Sequence, residues 1–334
     1  MQKVNIGVVG LGWVAQVVHL PILTRLPEVN LVAICDKDKS RARLVGDKLG
    51  IRKVYTDVRA MVETEDINAV IVCTSTDTHK EIALIALEAG KDVLVEKPIA
   101  PRYVDAVEMA EAAKLSRRKL MVGMNLRFRP DSMILKSFLD GKELGKIFLT
   151  KIGWFRKKRS ESDWAKRNLK AGGGVFFDLG IVMLDMAFWL VDYPSVRRVQ
   201  AVHFHHRTKS VEDTSLVSLT LNSGAVIQIE ASWSISVHDD VFYGHVFGTD
   251  GTASLSPLRI NKELHGNLVN LAPAKMESPH TMFKRSYENE LRHFVGAVMG
   301  VHPVISTAEE AVQRMRIVDA VYKSAKKGRE VLLS

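Results

Sequence analysis

The first third of the chain alternates short apolar segments with amphipathic ones, and this alternation limits the possible folds more than any other feature. The apolar segments Val4–Val9, Val29–Cys35, Ala69–Cys73 and Val93–Val95 are predicted to be strands. Segments with a helical pattern separate them. Strands that are apolar throughout and alternate with helices indicate a parallel sheet that is covered on both faces. The sequence therefore predicts an α/β domain at this end of the chain.

A glycine loop joins the first predicted strand to the first predicted helix. Gly10, Gly12 and Ala15 have the spacing G-x-G-x-x-A, with Trp13 and Val14 between the last two. In such loops the first glycine allows a tight turn, and the second lets the backbone approach a pyrophosphate at the helix N-terminus. The motif is weak alone, but here it follows a strand and opens a helix, as it must. The sequence therefore predicts a dinucleotide site that includes Gly10, Gly12, Trp13 and Val14.

An acidic residue, Asp36, follows the second predicted strand. A carboxylate in this place accepts hydrogen bonds from the adenosine ribose and repels a 2′-phosphate, so it favours NAD over NADP. Lys37 follows directly and softens the preference, which keeps NADP as an alternative cofactor. Asp36 has one other possible role, to cap the next helix, but Asp38 and Ser40 are also available for that.

Two more predicted strands end in polar residues. Thr74, Ser75 and His79 lie after one of them, and Glu96 and Lys97 end the other. The carboxyl ends of parallel strands meet at the crevice in which open α/β sheets bind ligands. These residues are therefore predicted to contact the cofactor. The first group also fits a simple loop and helix cap, and His79 faces either the cofactor or the first helical turn.

Composition excludes several other classes of protein. The chain has 334 residues, 46% of them hydrophobic and 25% charged, which allows two globular domains with separate cores. The net charge of +9 suits an anionic cofactor or substrate, and equally a merely basic surface. No basic segment is interleaved with aromatic residues as in nucleic-acid-binding modules, and no apolar segment has membrane-spanning length. Cys35 and Cys73 are predicted to be reduced core residues. We therefore expect a cytoplasmic protein that binds neither nucleic acid nor a membrane.

The pattern changes near Gly123, where a second predicted domain begins. A glycine cluster at residues 172–174 precedes a predicted helix, and several longer predicted strands follow. These strands are Val196–His205, Thr214–Leu221, Ala225–Trp233 and Val241–Gly248. Consecutive strands, one pair of them joined by a hairpin-like turn, indicate a mostly antiparallel sheet. We predict domains at residues 1–122 and 123–334.

Several motifs in this order resemble those of the glucose–fructose oxidoreductase and inositol dehydrogenase (Gfo/Idh/MocA) family. After the glycine loop come Glu96-Lys97-Pro98, Gly123-Met124-Asn125-Leu126-Arg127-Phe128-Arg129-Pro130, Gly172-Gly173-Gly174-Val175-Phe176-Phe177-Asp178-Leu179-Gly180 and Tyr287-Glu288-Asn289-Glu290-Leu291. The resemblance covers nearly the whole chain. The Glu-Lys-Pro motif joined to the later Gly-Gly-Gly…Asp-x-Gly segment is its most specific part.

The resemblance implies a fold and an activity. The fold is an α/β Rossmann domain followed by an α+β domain with an open, mostly antiparallel sheet, which often forms the contact in a homodimer or homotetramer. The activity is hydride transfer between NAD(P) and a sugar, cyclitol or related polyol. The resemblance also implies that Lys97 touches both cofactor and substrate, that Asn125 lies near the nicotinamide, and that Asp178 lies in the catalytic pocket.

The chain departs from the family at one catalytic position. Many members carry a histidine four residues after the aspartate, which places both side chains on one helix face. Here that position is Val182, which cannot transfer a proton. Either Lys97 is the sole acid/base and Asp178 orients the substrate, or another residue replaces the histidine, or the protein binds a dinucleotide with little turnover. We favour the first, because Lys97, Asn125 and Asp178 are retained together. A free lysine has a pKa of ~10.4, and both partial burial and the charge of oxidised nicotinamide lower it.

By the same resemblance, four residues border the substrate site, namely Arg156, Trp164, Asp178 and Val182. Alternate cations at a strand end point to one face, so an acidic or phosphorylated sugar fits if that face lines the pocket. Otherwise the segment is a solvated basic loop. Trp164 either stacks on a sugar ring or anchors a loop. No group of residues has the spacing of metal ligands. The favoured function is therefore an NAD(P)-dependent oxidoreductase, and the alternative is a dinucleotide-binding regulatory or sensor protein that kept the fold.

Overall fold

The computed structural model describes residues 3–64, 66–157 and 172–333. The chain divides into two compact units. The first unit contains the residues up to Asn125 together with Tyr287–Met315, and the second contains Leu126–Ser286 together with the residues from Arg316 onward. The predicted division into residues 1–122 and 123–334 stays a prediction.

A six-stranded sheet forms the centre of the first unit. Its strands are β1 (Val4–Val9), β2 (Val29–Cys35), β3 (Lys53–Tyr55), β4 (Ala69–Val72), β5 (Asp92–Glu96) and β6 (Leu120–Gly123). The order is β3-β2-β1-β4-β5-β6, and every neighbouring pair is parallel. This is the doubly wound order of dinucleotide-binding folds, so the predicted Rossmann domain is confirmed. The chain reverses its direction of winding between β1 and β4, and such switch points are where these sheets bind ligands.

Helices connect the strands of the first unit. They are α1 (Leu20–Leu23), α2 (Lys39–Leu49), α3 (Val58–Thr64), α4 (His79–Glu88) and α5 (Tyr103–Ser116). A π-helical turn, Ala15–His19, leads into α1, and the N–H of Leu20 donates to the carbonyl of Ala15 five residues earlier. The sequence predicted one regular helix here and did not predict α3.

A nine-stranded sheet forms the second unit. Its strands are β7 (Ile147–Phe155), β8 (Val196–Phe204), β9 (Thr214–Leu221), β10 (Val226–Ser232), β11 (Val241–Gly248), β12 (Gly251–Leu255), β13 (Arg259–Leu264), β14 (Asn267–Asn270) and β15 (Val331–Leu332). The order is β14-β13-β12-β11-β7-β10-β9-β8-β15, and only β7 and β10 pair in parallel. The predicted mostly antiparallel sheet is confirmed.

The other helices that the structure describes are α6 (Pro130–Asp140), α7 (Ile181–Leu190), α8 (Pro279–Val298) and α9 (Ala308–Lys327). Nine of the ten residues of α7 are buried, and the helix packs on β7 and β10. Its one acidic residue, Asp185, accepts hydrogen bonds of 2.6 and 2.9 Å from the buried guanidinium of Arg127. This ion pair gives Asp185 a structural role in the second unit. In the part of the chain that the structure describes, none of the helices combines the length and apolar character needed to cross a bilayer.

Candidate active site

The glycine loop lies at the switch point of the first sheet, between the ends of β1 and β4. Gly10 has a φ of +87°, and a Cβ there would lie 2.7 Å from the backbone nitrogen of Thr74. A residue with a side chain is therefore excluded both by the backbone angle and by the close approach of the next loop. A Cβ on Gly12 would meet nothing within 4 Å among the described residues, so the start of the helix stays open for a phosphate.

The loop and the neighbouring strand ends line a cleft of about 590 Å³ in the first unit. Six predicted cofactor-binding residues line it, namely Gly10, Gly12, Asp36, Lys37, Thr74 and Ser75. Trp13 and Val14 occupy the first helical turn, where Trp13 is exposed and Val14 partly buried. Most of the predicted cofactor residues at the ends of β1, β2 and β4 thus lie on one surface.

Asp36 lies in this cleft, and its carboxylate forms hydrogen bonds and an ion pair with other residues of the chain. Its carboxylate accepts hydrogen bonds from the N–H of Leu11 at 2.8 Å and from the N–H of Asp38 at 2.9 Å. The cap of α2 is Asp38, whose side chain accepts from the N–H of Arg41. Asp36 is therefore not the helix cap. The guanidinium of Arg41 lies 3.2 Å from Asp36 Oδ2, a contact that the sequence analysis missed.

Glu96, at the end of β5, is fixed from two sides. Its Oε1 lies 2.6 Å from Nε2 of the buried His19, and its Oε2 accepts from the backbone N–H of Lys97 at 3.1 Å. Burial disfavours the imidazolium, but interactions with the Cys73 sulfur and the Glu96 carboxylate outweigh burial and raise the pKa of His19 well above its ordinary value. Burial likewise opposes ionisation of Glu96, but the hydrogen bond and charge of His19, helped by Lys97, lower its pKa.

This ion pair connects the helix after the glycine loop to the strand end that carries Lys97. His19 ends the π-helical turn, and Glu96 ends β5. Lys97 itself is partly buried, and the peptide bond between Lys97 and Pro98 is cis. His19 was not predicted from the sequence, because its partner Glu96 lies on a distant segment of the chain.

His79 is buried and points to protein carbonyls. Its Nδ1 lies 2.8 Å from the carbonyl oxygen of Pro98, and its Nε2 lies 3.1 Å from that of Thr74. Burial lowers its pKa, so the ring is neutral at neutral pH and donates to one carbonyl at a time. The ring thus joins the loop after β4 to the segment after Lys97. Its predicted contact with the cofactor stays a prediction.

Asn125 follows β6 at the same sheet edge. Gly123, the last residue of β6, is the register partner of Glu96. Asn125 then opens a single 3₁₀ turn, Asn125–Phe128, and is partly buried. The parallel register therefore places Asn125 just beyond the strand end that neighbours Lys97, while its contact with the nicotinamide stays a prediction.

In the second unit, Arg156 and Asp178 form an ion pair. Arg156 Nη1 lies 3.5 Å from Asp178 Oδ2, and the two side chains are 25% and 26% exposed. The guanidinium also lies over the ring of Trp154, with Cζ 4.7 Å from the ring centroid. Two residues that the sequence analysis assigned to the substrate are thus brought together. Trp164, also assigned to the substrate, lies outside the described residues.

A buried carboxylate holds the segment that carries Asp178. Glu212 accepts from the N–H groups of Gly174 at 3.2 Å and Phe176 at 3.0 Å, and from the hydroxyl of Tyr322 at 2.7 Å. A Cβ on Gly174 would overlap Glu212, so this glycine is required for the close approach. Glu212 was not predicted from the sequence, because nothing nearby in the sequence links it to the glycine cluster.

Asp178 lies in a π-helical turn, Phe176–Gly180, and not at the start of a regular α-helix as predicted. The N–H of Ile181 donates to the carbonyl of Phe176, five residues earlier. Such a turn closes hydrogen bonds from residue i+5 to residue i in place of the i+4 to i bonds of an α-helix. Val182 is buried in α7.

Family models match most of the chain. One, described as an oxidoreductase family with an NAD-binding Rossmann fold, matches residues 4–124. A second, the C-terminal alpha/beta domain of the same oxidoreductase family, matches residues 136–333. The chain belongs to the Gfo/Idh/MocA oxidoreductase family. The predicted NAD-dependent dehydrogenase activity and the NAD cofactor are confirmed at the level of the family.

Individual relatives of this Gfo/Idh/MocA protein are dehydrogenases. It is 28% identical to D-glucoside 3-dehydrogenase of Escherichia coli, covering 98% of this chain and 97% of that one. It is 29% identical to scyllo-inositol 2-dehydrogenase (NAD(+)) of Bacillus subtilis, covering 99% and 96%. A solved structure of GenD2 from gentamicin A biosynthesis, in complex with NAD, aligns with a TM-score of 0.85 at 26% identity, covering 100% of this chain and 97% of that chain.

The residues of the first unit fit NAD. The open space at Gly12 suits a pyrophosphate, and the cleft beside Asp36 and Lys37 suits an adenosine ribose. Among the described residues, no group of three or more His, Cys, Asp or Glu side chains could hold a metal ion.

Proposed function

We propose that the enzyme transfers a hydride between the nicotinamide of NAD and a carbinol carbon of a sugar, cyclitol or sugar acid, with Lys97 as the main acid/base. The observation that carries this proposal is the fixed position of Lys97 at the carboxyl end of β5. Glu96 accepts from the backbone N–H of Lys97 and is itself held by His19. Relatives named for their action on a glucoside and on an inositol support a polyol substrate.

The chemistry needs one proton-transfer group. NAD, when bound, supplies the acceptor for the hydride. Oxidation of a carbinol also requires a base for the hydroxyl proton, and the reverse reaction requires an acid that returns it. The amine of Lys97 performs both, while Val182 leaves the position of the usual histidine without a titratable group.

We propose that Asp178 and Arg156 bind the substrate. The ion pair with Arg156 orients Asp178 as a hydrogen-bond acceptor for substrate hydroxyls. A guanidinium has five N–H donors, and contact with one carboxylate leaves donors for a second one. Trp154 holds the plane of the guanidinium from one side. This arrangement favours an acidic sugar over a neutral one.

A turnover screen tests the function. Reduction of NAD is measured with purified protein against neutral sugars, cyclitols and sugar acids, and NAD binding is measured separately by calorimetry. We expect turnover with at least one polyol and the highest kcat/KM with a sugar acid. Tight binding of NAD without turnover on any of these compounds would favour the second candidate function, a dinucleotide-binding sensor or regulatory protein. The observation that supports this second candidate is Val182, which stands where many family members have a histidine.

We also propose a homodimer or homotetramer formed through the sheet of the second unit. Val202 on β8 and Leu216 on β9 are register partners, and they are 47% and 41% exposed. Exposed apolar side chains grouped on one sheet face are typical of an interface.

A further inference from the structure

The second unit contains a pocket of about 190 Å³ that lies outside the residues assigned to the cofactor and the substrate. The ends of α6 and α7 meet the strands β7, β9 and β10 there, and nine of the twelve lining residues are apolar. Leu190, in the wall, ends α7, whereas Asp178 precedes the start of that ten-residue helix. About 15 Å of helix therefore separates the pocket from Asp178.

Contacts within the protein fix the walls of the pocket. The turn after α7 forms part of the wall, and Tyr193 in that turn donates from its hydroxyl to Asp185 at 3.2 Å. The hairpin between β9 and β10 forms another part, and the backbone N–H of Asn222 in that hairpin donates to the carbonyl of Ser195 at 2.9 Å. These bonds need no ligand, so the pocket is preformed, as sites for small molecules usually are.

The wall contains a buried hydroxyl group that lacks a partner among the described residues. Thr150 and Ile227 are register partners on β7 and β10, and both line the pocket. Thr150 is 2% exposed, and its Oγ1 forms no hydrogen bond with any described residue. An unpaired buried hydroxyl is unfavourable, and a hydroxyl can donate one hydrogen bond and accept two. A polar atom of a molecule in the pocket would remove this cost.

The charges at the pocket favour a neutral molecule. Asp192 is the one charged residue among those that line it. Its side chain is 77% exposed and forms an ion pair with Lys136, which also pairs with Asp140. Water and this cation therefore solvate the carboxylate. An ion placed against the apolar part of the wall would lose its hydration without gaining a partner, which is costly.

We propose that this pocket binds a small neutral phenol, with the phenolic oxygen paired to the hydroxyl of Thr150. The size of the ligand follows from the volume of the pocket, because an apolar cavity of about 150 Å³ accommodates benzene. A pocket of about 190 Å³ therefore takes an aromatic ring with small substituents. The apolar walls supply most of the affinity, and the single polar contact sets the orientation of the ring.

Fluorine NMR with two matched compounds tests the proposal. In para-fluorophenol and para-fluorotoluene, a hydroxyl and a methyl group occupy the same position of the ring. We expect the wild-type protein to bind both, with dissociation constants of about 0.1 to 1 mM, as expected for ligands of this size. Thr150→Val replaces the hydroxyl by a methyl group. It should raise the dissociation constant of the phenol relative to that of the toluene by about three- to tenfold, the net contribution of one neutral hydrogen bond.

Two further variants separate the pocket from non-specific binding. Ala225→Leu adds bulk to a wall residue that is 9% exposed, and it should abolish binding of both compounds. Ala274→Leu makes the same change at an exposed residue outside the pocket, and it should leave both affinities unchanged.

Three results would overturn the proposal. The first is a wild-type protein that binds neither compound at millimolar concentration. The second is a Thr150→Val variant in which both affinities change equally, and the third is an Ala225→Leu variant that binds both compounds as the wild type does. Turnover plays no part in these measurements, so their failure would leave the proposed function intact.

Discussion

The amine of Lys97 is the single group on which the proposed chemistry depends. We expect Lys97→Ala to lower kcat/KM by about 10²- to 10⁴-fold, the usual contribution of a positioned acid/base. The affinity for NAD, measured by calorimetry, should stay within about threefold, because the glycine loop and the cleft are untouched. Lys114→Ala, which removes an exposed amine from α5, is the matched control. Activity within tenfold of the wild type in Lys97→Ala would show that another group transfers the proton.

His19 gives the first unit a pH-dependent contribution to its stability. Its pKa is raised in the folded protein, so its contribution is complete below the unfolded value of ~6.5 and is lost as the pH rises through the folded value. The pKa of Glu96 is lowered, so its contribution is present above the unfolded value of ~4.3 and is lost as the pH falls through the folded one.

We therefore expect His19→Gln to lower the free energy of unfolding by about 3 kcal/mol near pH 6, the usual effect of removing one partner of a buried ion pair. The difference from the wild type should shrink as the pH is raised above neutrality. Denaturant unfolding at several pH values measures it. The double variant His19→Gln/Glu96→Gln should recover part of the loss, because no buried charge is left unpaired. An equal loss of unfolding free energy at every pH would contradict the raised pKa of His19 in the folded protein.

Local sequence motifs indicate where a site residue lies, but they do not indicate which side chains it contacts. The positions of the glycine loop, Asp36 and Lys97 at strand ends could be predicted, because each belongs to a local motif with a known physical requirement. The sequence did not predict the contacts of His19, Arg41 and Glu212. The partners of His19 and Glu212 lie on distant segments, and the separation between Arg41 and its partner Asp36 matches no known motif. Long-range side-chain pairing leaves no signal in a single sequence.

At the scale of elements, strongly apolar strands were predicted well. The predicted bounds of β9 and β11 agree with the structure, because both segments end at turn residues. The strands β12–β14 were missed because they are short and β13 and β14 are polar, and pairing with neighbours stabilises them. The π-helical turns at residues 15–19 and 176–180 were also missed, since their sequences differ little from those of α-helices.

The segment before α7 depends on one carboxylate. Glu212→Gln keeps the shape of the side chain but puts an amide group where two N–H donors now meet carboxylate oxygens. We expect it to lower the free energy of unfolding by about 1 to 3 kcal/mol, the cost of unsatisfied buried hydrogen bonds. It should also raise the KM for the substrate by displacing Asp178.

The affinity for NAD separates this local effect from general misfolding. The residues of the cofactor cleft belong to the first unit, so the calorimetric dissociation constant of NAD should not change in Glu212→Gln. Tyr322→Phe removes one of the three donors to Glu212 and should reproduce a smaller loss of stability. Glu263→Gln, on the exposed part of β13, is the control. An unchanged KM in Glu212→Gln would mean that this carboxylate supports the fold but does not position Asp178.

At the scale of the whole molecule, the sheet of the second unit offers a surface for self-association. Strand periodicity places Val202, Leu216, Tyr243, His245 and Phe247 on the face of the sheet opposite α7. Sequence periodicity alone predicted that these strands exist, but it could not show which of them are neighbours. The register of β8 and β9 places Val202 directly beside Leu216, and this contiguity turns scattered apolar residues into a patch.

We expect Leu216→Glu to dissociate the proposed homodimer or homotetramer. Closed assemblies of identical chains mostly use two-fold interfaces, in which the same patch faces itself. One substitution then places carboxylates on both sides of the contact, where desolvation and like-charge repulsion act together. Sedimentation velocity at micromolar concentration should change from dimer or tetramer to monomer. Leu268→Glu, on the edge strand β14, where the leucine is also exposed, should leave the assembly intact. A wild-type protein that sediments as a monomer, or a Leu216→Glu variant that stays assembled, would move the interface to another surface of the molecule.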